Sequence, residues 1–187
     1  MRYVEYKHVF YRPLHPRPTL ILGTICPGDR VNFMPASWNT PVAEDPPTIA
    51  VAVDKSSFTF ECLEFHPEAT INMASSDQYQ IAYDLGSVSG RSVDKISRFN
   101  IRTVPSIKIK PPGLEGSIAI YETRVYSKID VGEVRLYVFE VLLVRVLEGY
   151  VSEYGPELEK KNILLHGVGR VFYAVEPRRI VARKTLA

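Results

Sequence analysis

Prolines come in groups along this chain, and the grouping limits the folds open to it. Pro13, Pro16 and Pro18 fall together, then Pro41, Pro46 and Pro47, then Pro105, Pro111 and Pro112. Each ring fixes φ and removes an N–H donor, so no long helix can run through these regions. With 14 prolines against 11 glycines, and 11 Tyr and 8 Phe among the rest, the intervening segments favour strands. Residues 19–25 are an apolar run fenced by Pro18 and by Pro27-Gly28-Asp29, which predicts a buried strand and a tight turn, with 30–34 as hairpin partner. Residues 48–54 predict another buried strand behind Pro46-Pro47. Phe58, Cys62 and Phe65 at helical spacing predict a short helix ended by Pro67. Residues 69–73 read as a strand and 76–85 as a second short helix.

The strongest strand signal lies later, at 134–146. Val134, Leu136, Val138, Leu142, Val144 and Val146 alternate onto one face that is expected to be buried, with Arg135, Tyr137, Phe139, Leu143 and Arg145 opposite. Residues 117–128 alternate similarly, 130–133 predict the hairpin turn between them, and 171–175 predict a late strand. With no βαβ rhythm, linker or repeat, the reading is one domain, a mainly antiparallel β-barrel with short peripheral helices.

Charge excludes some functions. Lys plus Arg number 23 and Asp plus Glu 21, a net +2 that argues against a protein built mainly for nucleic acid. The tail Arg178-Arg179-Ile180-Val181-Ala182-Arg183-Lys184 is basic, and is read as a solvated or subunit-wrapping end. No apolar run approaches the ~20 residues of a membrane span, and residues 1–7 lack the apolar core of a signal peptide, so a cytoplasmic protein is expected. Cys26 and Cys62 have no metal-ligand neighbours; two buried free thiols in a reducing compartment are expected, and no metal.

Standard catalytic motifs are absent, and His8, His15, His66 and His166 are spread through the chain with no nucleophile marked beside them. Three stretches carry more. Residues 32–42, containing Asn32, Ala36, Ser37, Trp38 and Asn39, form a polar and small connection between buried strands where a flat ligand can approach backbone N–H groups. Asp54-Lys55-Ser56-Ser57-Phe58-Thr59 opens a helix, where free N–H groups, hydroxyls and a Lys suit a phosphate, although Ser or Thr there also serves as an ordinary cap. Residues 86–95 bend on Gly86, Ser89 and Gly90 and present Arg91 and Lys95 to an anion.

Taken in order, Pro16-Arg17-Pro18, residues 32–38, Asp45-Pro46-Pro47, Phe58-Thr59, Asn72, residues 89–95, and His166-Gly167-Val168-Gly169-Arg170 with Tyr173 resemble the flavin reductase-like FMN-binding family, which includes flavoredoxins and flavin reductase components. Val168 stands where the family has a second adjacent glycine. The resemblance implies a split β-barrel, antiparallel and Greek-key-like, spanning 1–187 as one domain, with FMN held non-covalently at or near a homodimer interface and a tail from about 176 to 187 packed on the partner. It implies that Ala36, Ser37, Trp38 and Asn39 border the ring, that Lys55, Ser57 and Thr59 hold the phosphate end, and that Ser89, Gly90, Arg91 and Lys95 complete that pocket, with Asn32 and Asp54 beside them and His166 approaching the flavin.

The function so implied is an oxidoreductase that takes electrons from NADH or NADPH and passes them to free flavin, an iron centre or a partner protein. A non-enzymatic FMN electron carrier shares the same site, and a nucleic-acid-binding barrel is the remote alternative. No catalytic residue is named, since the redox chemistry belongs to the cofactor. Arg91→Ala and Thr59→Ala are both expected to weaken FMN binding with little loss of fold.

Overall fold

The computed structural model describes residues 1–178, 181 and 182. A single helical turn at 12–14 precedes β1 (Arg17–Pro18), β2 (Leu20–Cys26), β3 (Arg30–Ala36), β4 (Asn39–Glu44) and β5 (Pro47–Asp54). Then come α1 (Phe58–Phe65), β6 (Glu68–Met73), α2 (Tyr79–Ser87), α3 (Lys95–Arg98), β7 (Thr103–Val104) and β8 (Gly113–Leu114). The last third holds β9 (Ala119–Val131), β10 (Val134–Val146), β11 (Val151–Ser152), β12 (Gly155–Pro156), β13 (Leu164–His166) and β14 (Phe172–Ala174). Seven strands form one antiparallel sheet in the order β3-β2-β6-β9-β10-β5-β4, and β1-β13-β14 form a small second sheet. The basic tail is described only in part: Arg179, Ile180, Arg183 and Lys184 lie outside the described residues.

β2 reads as an unbroken apolar run because both of its faces are covered. Leu20 and Leu22 face the barrel interior with Val51, Val53, Ile71 and Phe139, and Leu63 of α1 closes that core. Ile21 faces the other way, beneath Ala82 and Leu85 of α2. Gly23 shares the face of Ile21, and a Cβ there would come within 2.8 Å of the Pro112 carbonyl and 2.4 Å of Thr70 Oγ1. A side chain there would push the 105–112 loop off the sheet.

Three expectations are corrected. Residues 32–42 are not a connection but mostly strand: β3 pairs with β2 as far as Leu20↔Ala36, and only Ser37 and Trp38 turn the chain into β4. The sheet tolerates Pro35 and Pro41 because β3 and β4 are its two edges, where a missing N–H breaks no ladder.

In β10 the buried face is the opposite one. Tyr137 and Phe139 are fully buried, stacked at 5.9 Å, while Val144 and Val146 stay 46% and 48% exposed. The tyrosine can enter the core because its hydroxyl donates to Glu64 Oε1 at 2.8 Å. Register shifts after Val138 and after Val141 also break a single strict alternation.

Cys26 and Cys62 are not free thiols. They form a disulfide, fully buried, between the end of β2 and the middle of α1. They are 36 positions apart in sequence, and β2 and α1 bring their Cα atoms to 4.1 Å.

Candidate functional site

A groove follows β3 beneath the C-terminal end of α2. It consists of two adjoining hollows that share Gly86 and Ser87. From Asn32 to Ser37 the floor runs five residue steps, about 17 Å of extended chain.

The first hollow is polar. Asp54 Oδ1 accepts from the Ser56 N–H and hydroxyl, both at 2.7 Å, which shapes the turn into α1 and holds the Asp54 carboxyl below its usual range. Ser57 then caps α1, its Oγ accepting from the Phe60 N–H at 3.1 Å. That leaves the first N–H groups of the helix without helical partners beside the hollow. Thr59, on the first turn, is buried and accepts from Asn32 Nδ2 at 3.0 Å. Asn32 Oδ1 is buried without a partner.

The opposite wall is the 89–95 segment. Gly90 packs so closely on β3 that a Cβ would lie 2.3 Å from Asn32 Oδ1 and 2.7 Å from Phe58. Asp94 caps α3 by accepting from the Ile96 N–H at 3.0 Å and the Ser97 hydroxyl at 2.7 Å. This cap fixes Lys95, which is 4% exposed and gives two ammonium protons to the carbonyls of Phe33 and Leu85, at 2.9 and 2.6 Å. Burial pushes its pKa down to about 8. Arg91 lies at the rim, bonded to Glu61 through Nε at 3.0 Å.

The second hollow is lined by Thr19, Pro35, Ala36, Ser37, Tyr83 and His166, among others. Ser37 Oγ lies 3.1 Å from His166 Nδ1, and His166 Nε2 lies 3.2 Å from the Gly169 carbonyl. β1 pairs with β13 so that Arg17 lies opposite His166. The Arg17 guanidinium donates to the carbonyls of Ser37 and Asn39, each at 2.8 Å, and holds the β3–β4 turn.

Of the residues singled out from the sequence, Asn32, Ser57, Thr59, Ser89, Gly90, Arg91 and Lys95 line the first hollow, and Ala36, Ser37 and His166 the second. Trp38 and Asn39 part from their neighbours. They line a separate apolar cavity with Phe10, Tyr11, Leu14 and His15, where Trp38 meets the Tyr11 ring edge at 5.3 Å. Lys55 also turns elsewhere: its Nζ donates to the Gly132 carbonyl at 2.9 Å, with Asp130 at 3.4 Å, because β5 ends beside the β9–β10 turn. Asp54 acts only through the turn it shapes.

Sequence reasoning missed Arg30, whose guanidinium lies 5.1 Å from the Phe58 ring and donates to the Gly90 carbonyl. Strand alternation could have found it, since Arg30 and Asn32 share a face of β3. Asn72, quoted from the sequence, is structural: it donates to the Ile21 carbonyl at 2.7 Å and accepts from the Leu114 N–H at 2.8 Å.

The family model of the flavin reductase-like domain matches residues 11–170. The chain belongs to that family. An uncharacterized protein of Archaeoglobus fulgidus is 25% identical over 145 residues, 77% of this chain and 81% of that one. An FMN-binding protein from Thermus thermophilus, solved with bound 1-cyclohex-2-enone, superposes with a TM-score of 0.86 at 26% identity, covering 97% of this chain and all of that one. The flavoredoxin of Desulfovibrio vulgaris (Miyazaki F) superposes with a TM-score of 0.80 at 25% identity, covering 90% and 91%. The fold is therefore the flavin reductase-like split barrel, as the sequence led one to expect. Among the described residues no helix is long and apolar enough to cross a membrane.

FMN joins a phosphate to a planar ring through a polyhydroxylated chain, and the groove suits all three parts. The Ser87 and Ser89 hydroxyls on the groove wall suit the polyhydroxylated chain. The helix start and Lys95 suit the phosphate, and the small side chains of Ala36 and Ser37 leave room for a flat ring in the second hollow.

Proposed function

We propose that this protein is an FMN-dependent oxidoreductase that takes electrons from NADH or NADPH and passes them to free flavin, an iron centre or a partner protein. The observation that carries the reading is the groove itself, which runs along β3 from the α1 cap and Lys95 to a smaller-residue end at Ala36 and Ser37. Ser57, Thr59, Gly90, Arg91 and Lys95 would hold the phosphate end, and Ala36, Ser37 and His166 would border the ring. Bound FMN would supply the hydride and single-electron chemistry. The chain binds and orients it, and α2 shields one side of the groove from water.

The Desulfovibrio flavoredoxin similarity favours a second reading, an FMN electron carrier reduced by another protein. Stopped-flow mixing of the FMN-loaded protein with NADH and NADPH separates the two. Loss of the yellow absorbance within seconds supports the oxidoreductase; an unchanged spectrum that a chemical reductant then bleaches supports the carrier. A protein that never takes up FMN sinks both.

The same proposal extends to assembly and location. The exposed apolar side chains Val144, Val146, Tyr126 and Ile129 on β9 and β10 support a homodimer with FMN at or near its interface, each chain forming one domain. A cytoplasmic location follows from the nicotinamide donor. The disulfide is compatible with it, because full burial keeps soluble thiols from reaching either sulfur.

A further inference from the structure

His166 is held at both ring nitrogens, and the two partners differ in kind. The Gly169 carbonyl can only accept, so Nε2 carries a proton. In the neutral imidazole Nδ1 is then an acceptor, and the Ser37 hydroxyl must donate to it across the 3.1 Å contact. The lone pairs of Ser37 Oγ are what remains to face the groove. When the imidazole gains a second proton, Nδ1 becomes a donor and the bond reverses. Ser37 then accepts from the ring, and its own O–H is freed toward the groove.

We infer that Ser37 and His166 form a reversible donor pair, in which protonation of His166 converts Ser37 from a presented acceptor into a presented donor for a carbonyl or ring-nitrogen acceptor of the bound ligand. The inference rests on the reading of the groove as a flavin site and names a role for two of its residues. His166 is a positioning residue here, acting through Ser37.

The surroundings favour a pair set by its ligand. The titratable and charged groups on the elements packed against His166 are His15 and Arg17 at β1, Tyr83 of α2 across the groove, and Arg170 and Tyr173 of the closing segment. Among the described residues no carboxylate lines this end of the groove. Arg17 is engaged with the Ser37 and Asn39 carbonyls, and His15 Nδ1 donates to the His166 carbonyl at 3.1 Å, so the backbone on both sides of the pair is fixed.

Two measurements test this. Nitrogen-resolved NMR of the imidazole in the ligand-free protein should show the Nε2–H form of His166 at neutral pH, with Nδ1 taking the second proton on acidification. An Nδ1–H neutral form would overturn the pair, whatever the groove binds. FMN titrations followed by fluorescence between pH 5.5 and 7.5 should then show affinity rising toward acid in the wild type more than in Ser37→Ala or His166→Gln. The difference should reach a few-fold to about tenfold, the worth of one hydrogen bond. The phosphate of FMN titrates in this range in all three proteins and cancels in the comparison. Equal slopes would overturn the inference while leaving the FMN site intact. No FMN binding by the wild type at any pH would sink the flavin reading, and with it the ligand proposed for the pair.

Discussion

At its polar end the groove is made by two short stretches, 54–59 and 89–95, each shaped largely by bonds between close neighbours. Asp54 bonds Ser56, Ser57 caps at Phe60, and Asp94 caps at Ile96. At its other end the contacts that seat His166 join it to Ser37 and His15, 129 and 151 positions away. Local bonds form as soon as the turn forms, whereas the His166 contacts exist only once β1 has found β13 in the right register. One end of the groove is therefore written as motif, and the other as topology. The polar end alone is also stapled, by Cys26–Cys62 behind α1.

The largest expected effect breaks that staple. Cys26→Ala with Cys62→Ala should lower unfolding free energy by about 3–4 kcal/mol, the chain-entropy worth of a loop of this length. Urea denaturation measures it, and FMN affinity should fall in parallel because α1 loses its tie to β2. The His166 imidazole signals should not move. If they shift as much as the affinity does, the two ends are not independent.

Next comes a contrast within the polar end, where the structure revises the expectation that two variants leave the fold alike. Thr59 is buried, and Thr59→Ala strands Asn32 Nδ2, so it should cost about 1–3 kcal/mol of stability as well as FMN affinity. Arg91 and Glu61 form a half-exposed pair, and Arg91→Ala should cost at most about 1 kcal/mol of stability while still weakening FMN binding. Thermal melts beside FMN titrations read both quantities. Equal stability losses would show that Arg91 is structural.

The smallest effect is a pH dependence. Below about 8 Lys95 carries its charge and attracts a phosphate; above that value it is neutral in the free protein. Bound phosphate favours the charged form, so the pKa in the complex is the higher of the two. FMN affinity should therefore fall between these values, by at most about tenfold per pH unit for one proton. Lys95→Met should flatten the curve. A wild-type affinity constant from pH 7 to 10 would mean that Lys95 only braces Phe33 and Leu85.

The sequence determined β2, β5, β6, β9 and β10, because grouped prolines and apolar runs leave few other ways to satisfy the backbone there, but it left β4 and β13 unread. It also determined the α1 cap and the 89–95 cation segment, since capping and turn chemistry act over three or four residues. It could not determine which face of β10 enters the core. Both faces carry large apolar groups, and the outcome turned on Glu64 being in place to accept from Tyr137. Nor could it separate Trp38 and Asn39 from Ala36 and Ser37, a division made by a turn two residues long between edge strands. The tertiary structure alone brought Cys26 to Cys62 and Ser37 to His166. Such pairings depend on which strands and helices become neighbours, and no local propensity encodes a distance across 36 or 129 positions of chain.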